Sequence, residues 1–148
     1  MDASIHATDN AMGLAWVLRD HTEFFFAAKN LHLDGVYTVN EAEAIAMRET
    51  LSWLKNTGMR GVDVEMDSQS VFHAISYPSF YSAFGVLIDD VKEMASLIHD
   101  VQFYFVKRPA NCAAHTLARE ACSVSGYGEW FDTPPALLVS CLFRDLMN

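Results

Sequence analysis

Two carboxylates, Glu43 and Asp67, stand at positions from which they could do chemistry. Glu43 lies in the run NEAEAIAMRETLSWL. At about 100° per residue it falls on the helical face defined by Met47, Leu51 and Leu54. A carboxylate turned toward a core is costly unless it is paired or bound to a cation. The ordinary alternative is a solvated first-turn acid favoured by the helix dipole. Asp67 closes the alternating run VDVEM and precedes Ser68. It therefore stands where a strand gives way to a helix, the edge at which open α/β sheets place ligands. Its ordinary alternative is a helix N-cap. Alternation puts Asp63 and Glu65 on the same side as Asp67, with Glu65 either an auxiliary acid or a solvated residue. Asp2 alone reads as an exposed terminal acid. Gathered together, such oxygen donors suit hard divalent cations.

The surrounding sequence predicts the elements that must position them. A first strand spans Met1 to Ile5. Met12–Arg19 and Glu23–Leu31 form a hairpin around Asp20-His21-Thr22. Thr38 and Glu41 have capping-box spacing, opening a helix that runs to about Thr57 with Gly58 at its end. Val62–Met66 is a strand, and a helix follows from Asp67-Ser68 to about Ser76. Tyr77–Ser82 is a loop containing proline, Val86–Ile98 a helix and Val101–Val106 a strand. Asn111 to about Cys122 is the last core helix, ended by Gly126 and Gly128. Trp130–Asn148 is a tail with Pro134-Pro135 and a helical, apolar end. Hairpin strands followed by alternating strands and helices imply a mixed α/β sheet covered on both faces.

Composition narrows the function classes. The 148 residues suit one domain, with a core over about 1–125 and a tail over about 126–148 packed on it. The 10 Lys and Arg against 19 Asp and Glu give a net charge of −9, which argues against a protein that coats nucleic acid by charge alone. It is compatible with an enzyme that holds phosphates through metal ions. Cys112, Cys122 and Cys141 lack the spacing of a zinc site or disulfide framework, so reduced, mostly buried thiols are expected. No stretch is apolar for long enough to span a membrane, and no signal peptide is seen. A monomer in the cytosol or nucleus is expected.

The order of these features resembles the plant reverse-transcriptase-like branch of the ribonuclease H family. The resemblance rests on MDASI followed by GLAWVLRD, on NEAEAIAMRETLSWL, on VDVEMDSQSVFHAI, on FYFVKRPANCAAHTLAREA and on the late PPALLVSCLFRDL. It spans essentially the whole chain. It implies a ribonuclease H-like fold with a five-stranded mixed sheet, three antiparallel strands then two parallel, and helices on both faces. It also implies hydrolysis of the RNA strand of an RNA–DNA hybrid. The family uses four acids, and by position the first three resemble Asp2, Glu43 and Asp67. These would bind Mg²⁺ or Mn²⁺, with two ions expected.

Three departures qualify that reading. The fourth acid is replaced by His115, which is a poor Mg²⁺ ligand but can move a proton. Only Met1 precedes Asp2, so the first strand is expected to be short and Asp2 to fray. No basic cluster follows Ser76. Lys107, Arg108, Asn111 and Arg119 are the candidates for contacts to nucleic acid, with solvated surface positions as the ordinary alternative for Lys107, Arg108 and Arg119. The competing readings are a hybrid-cleaving metal-dependent nuclease, a nucleic-acid-binding module without turnover, and a protein-interaction domain using the apolar tail.

Overall fold

A computed structural model describes residues 1–78, 81–123 and 127–147. Gly126, residues 79 and 80 of the expected loop, and Asn148 lie outside the described residues. The strands are β1 (Asp2–His6), β2 (Ala11–Arg19), β3 (Phe25–Asp34), β4 (Val62–Met66), β5 (Val101–Phe105) and β6 (Tyr127–Phe131). The helices are α1 (Val39–Asn56), α2 (Gln69–Ser76), α3 (Ala83–Ser96), α4 (Cys112–Ser123) and α5 (Val139–Met147). Short 3₁₀ turns cover Ala7–Asp9, Arg108–Asn111 and Ala136–Leu138.

The strands β1-β2-β3-β6 form an antiparallel sheet, and β4 pairs with β5 in parallel. The two sheets meet where the Met1 nitrogen donates to the Glu65 carbonyl at 2.9 Å. The expected three antiparallel and two parallel strands are all present. The sixth, β6, lies where the sequence reads as a helix stop and the start of a tail. Gly128 gave that signal, but in the structure it serves a strand. Its N–H donates to Asn30 Oδ1 at 2.7 Å, and a Cβ there would lie 2.3 Å from the Trp130 ring.

Local chemistry explains the element ends. Thr38 caps α1 through the Glu41 N–H, while the Glu41 carboxylate accepts from the Thr38 N–H at 2.8 Å. At the other end Gly58 takes φ +72°, and the Met59 N–H reaches back to the Leu54 carbonyl. A left-handed residue just past the last turn closes the helix carbonyls in this way. In the hairpin, the Asp20 carboxylate accepts from the Thr22 and Phe24 N–H groups. The helix expected from Val86 begins three residues earlier, because Ser82 caps it by accepting from the Gly85 N–H at 3.0 Å.

Helices cover both faces of the larger sheet. Leu14 and Trp16 of β2 pack with Met47 and Leu51 of α1 in one core. Ala15 and Ala28 pack with Leu117 and Ala118 of α4 in the other. Full burial of each Leu contributes about 1.5–3 kcal/mol. The second core is built from small residues, so α4 lies close to the sheet. Gly13 marks the tightest point, where an added Cβ would lie 2.0 Å from the Ala118 carbonyl oxygen and 2.5 Å from the Cys122 nitrogen. Gly13→Ala is expected to destabilise the fold by more than the ~1–3 kcal/mol of ordinary overpacking, because backbone must yield. Urea unfolding measures it, and an unchanged midpoint would contradict this packing.

The C-terminal segment joins the second core through Leu138 and Cys141. Arg19 of β2 also pairs with Asp145 of α5. The three cysteines are unbonded thiols, with Cys122 and Cys141 buried as expected. Phe131, Val139, Phe143, Leu146 and Met147, by contrast, are at least half exposed. Among the described residues, no helix is long and apolar enough to cross a membrane.

Candidate metal centre

Three elements bring one acid each to a single point. Asp2 begins β1 opposite Ala15 of β2 and has no exposed surface. The expected fraying of Asp2 is therefore corrected. The neighbouring Met1 is itself buried, its nitrogen donates to Glu65, and its carbonyl accepts from Asn111 Nδ2 at 2.9 Å. Glu43 lies in the first half of α1 among Ala42, Ala44, Ile45 and Met47 and is 4% exposed. It is not the solvated first-turn acid of the alternative reading. Asp67 follows β4, and its side chain is 3% exposed. Ser68, not Asp67, caps α2 by accepting from the Val71 N–H. The Asp67 carboxylate is thereby left for another task.

Carboxylate oxygens of Asp2, Glu43 and Asp67 all lie within 4.8 Å of one another. Asp2 Oδ1, Glu43 Oε2 and both Asp67 oxygens are buried without a hydrogen-bond partner. Such atoms are expensive in a protein interior. Burial pushes the Glu43 carboxyl up to about 8, and the charges of Asp2 and Asp67 push it the same way. Burial also raises the Asp2 carboxyl, against the hydrogen bond from His115. A cation among these oxygens would relieve both the repulsion and the missing partners. The donor set is all oxygen, as Mg²⁺ and Mn²⁺ prefer, so the residues fit a divalent ion.

His115 of α4 completes the wall, with Nδ1 2.7 Å from Asp2 Oδ2. Arg108 lies across the mouth. Its Nε is 2.9 Å from Asp67 Oδ2, but the two are not aligned for a hydrogen bond. Its Nη2 is 4.0 Å from Asp2 Oδ1, and its Nη1 is 2.9 Å from His115 Nδ1. One imidazole nitrogen offers either a proton or a lone pair. If His115 Nδ1 donates to Asp2, it cannot also accept from Arg108, so the two contacts compete.

The remaining candidates divide. Lys107, just ahead of the turn that carries Arg108, and Arg119 of α4 are both exposed. Asn111 is 6% exposed, and its amide ties down the first strand instead of facing solvent. Asn111→Ala is expected to reduce stability by ~1–3 kcal/mol in urea unfolding, since it leaves the Met1 carbonyl buried without its donor. An unaltered midpoint would sink that assignment. Asp63 and Glu65 are exposed and belong to no cluster of metal-ligating groups among the described residues. Sequence reasoning named Arg108 as a phosphate contact but missed its place over the acids. Its position seven residues ahead of His115 was the available signal.

Comparison with known proteins then places the chain. The sequence profile of the family described as reverse transcriptase-like matches residues 1–121. The chain belongs to the reverse transcriptase-like family. Its fold is that of ribonuclease H. RNase H1 from the halophilic archaeon Halobacterium salinarum NRC-1 superposes with a TM-score of 0.75 at 22% identity, over 82% of this chain and 93% of that one. The N-terminal RNase H domain of a Mycobacterium tuberculosis protein, solved fused to maltose-binding protein, gives 0.72 at 21% identity, over 82% and 89%. Among curated proteins no match was found.

Proposed function

We propose that this reverse transcriptase-like chain is a divalent-metal-dependent ribonuclease that cleaves the RNA strand of RNA–DNA hybrids. The observation that carries the reading is the convergence of three buried carboxylates, each with at least one oxygen that lacks a hydrogen-bond partner. Asp2, Glu43 and Asp67 would hold Mg²⁺ or Mn²⁺. A bound ion would supply an activated water and stabilise charge on the leaving 3′ oxygen. His115 holds a proton between Nδ1 and Asp2, at the edge of the site where a leaving group could receive it. Lys107, Arg108 and Arg119 provide a small set of phosphate contacts. With a net charge of −9, the chain would hold the backbone weakly and lose its grip in salt. Selection of RNA would come from 2′-hydroxyl groups and duplex shape, not from base sequence.

The test is incubation of the chain with a labelled RNA–DNA hybrid, with Mg²⁺ and separately with Mn²⁺. Metal-dependent scission of the RNA strand is expected. A folded protein that cuts with neither ion would overturn the reading. One observation would then favour a protein-interaction role: the exposed apolar stripe of Val139, Phe143 and Leu146 on α5.

A further inference from the structure

We infer that the acid cluster takes a single divalent ion, and that Arg108 stands as a tethered cation where a second ion would sit. The inference rests on the metal-dependent reading above and concerns the occupancy of the same site.

The ligand set is the first ground. Asp2, Glu43 and Asp67 converge within 4.8 Å, and the unpartnered Asp2 Oδ1 and Glu43 Oε2 are buried and point to a bound cation. These oxygens suffice for one ion completed by water. A second ion about 4 Å away would need further oxygen ligands. The next groups on the Asp2 and Asp67 side are the His115 imidazole and the Arg108 guanidinium. Imidazole nitrogen is a poor Mg²⁺ ligand, and a guanidinium has no lone pair to offer at all.

Position and charge are the second ground. Arg108 spans Asp67 at 2.9 Å and Asp2 at 4.0 Å, so its positive charge stands against two of the three acids. Its side chain is 56% exposed, so the head group enters from the solvent side while the acids stay buried. One divalent ion and one guanidinium together neutralise three carboxylates. A second divalent ion would leave excess positive charge beside Arg108, at a place with no ligand to hold it.

Mn²⁺ titration followed by calorimetry, with free ion counted by its electron paramagnetic resonance signal, tests this without any turnover. The native chain and Arg108→Lys are expected to bind one Mn²⁺. His115→Asp alone restores an oxygen ligand but keeps the guanidinium, and is expected to remain at one. His115→Asp combined with Arg108→Ala is expected to bind two. Two ions in the native chain or in His115→Asp would overturn the inference, as would one ion in the double variant. One ion bound without hybrid cleavage would leave it standing and overturn the nuclease reading. No ion bound at all would overturn both.

Discussion

Asp67→Asn is expected to lower cleavage of the RNA strand by at least about a thousandfold while leaving the fold intact. The size follows from what the residue would do. A metal ion contributes several kcal/mol of transition-state stabilisation, and each 1.36 kcal/mol is about tenfold in rate. Asn keeps the shape of Asp but offers one neutral carbonyl oxygen where the carboxylate offers two charged ones. Asp67 has a 3% exposed side chain and does not cap α2, so the substitution removes no helix cap and weakens only the ion pair with the largely exposed Arg108. In the metal-free protein it should instead raise the melting temperature, by thinning the charge around Glu43. Loss of cleavage with an undiminished melting temperature separates a site residue from a structural one. Cleavage within about tenfold of native would show that Asp67 holds no essential ion.

Much of this arrangement was legible in the residues, for identifiable reasons. Glu43 showed itself because helical periodicity converts spacing directly into direction. Its place on the face of Met47, Leu51 and Leu54 became 4% exposure in the structure. Asp67 showed itself because a strand running into a helix fixes which edge of a sheet it occupies. Capping followed from short-range chemistry at Thr38 and Glu41. What was hidden depended on distant partners. Asp2 was expected to fray because only Met1 precedes it, and the sequence carries no sign that Asn111, 110 residues on from Met1, binds the Met1 carbonyl. The strand β6 was hidden because Gly128 reads as a stop, whereas pairing with Asn30 and the fold of the Trp130 ring over it make glycine the residue that fits. Arg108 over Asp2 and Asp67 was hidden for the same reason: a long, flexible side chain takes its direction from charges that only the tertiary fold assembles.

Glu43→Gln is expected to stabilise the metal-free protein at alkaline pH and to abolish the stabilisation that metal confers on the native chain. Burial and the neighbouring acids lift the Glu43 carboxyl from 4.5 to about 8 in the folded state. In the unfolded chain it returns to its ordinary value. Between those values the folded state holds a proton that the unfolded state has released, so native stability falls as pH rises. The contribution is fully present below about 4.5 and lost as pH climbs through about 8. Across that window the loss is on the order of 5 kcal/mol for this group. Asp2, also raised by burial, acts in the same direction. In EDTA the melting temperature of the native chain should therefore drop steadily from pH 5 toward pH 8, by roughly 2–4 °C per kcal/mol. Glu43→Gln, with no charge to bury, should show a flatter profile and melt above the native chain at the alkaline end. Saturating Mn²⁺ should reverse the order, because an ion that binds only the folded state stabilises it by RT ln(1 + [L]/Kd). The native chain gains that term, and the variant loses the ligand that helps supply it. A native melting temperature that stays level from pH 5 to pH 8 in EDTA would mean the three carboxylates do not share one buried volume. The metal site would fall with it.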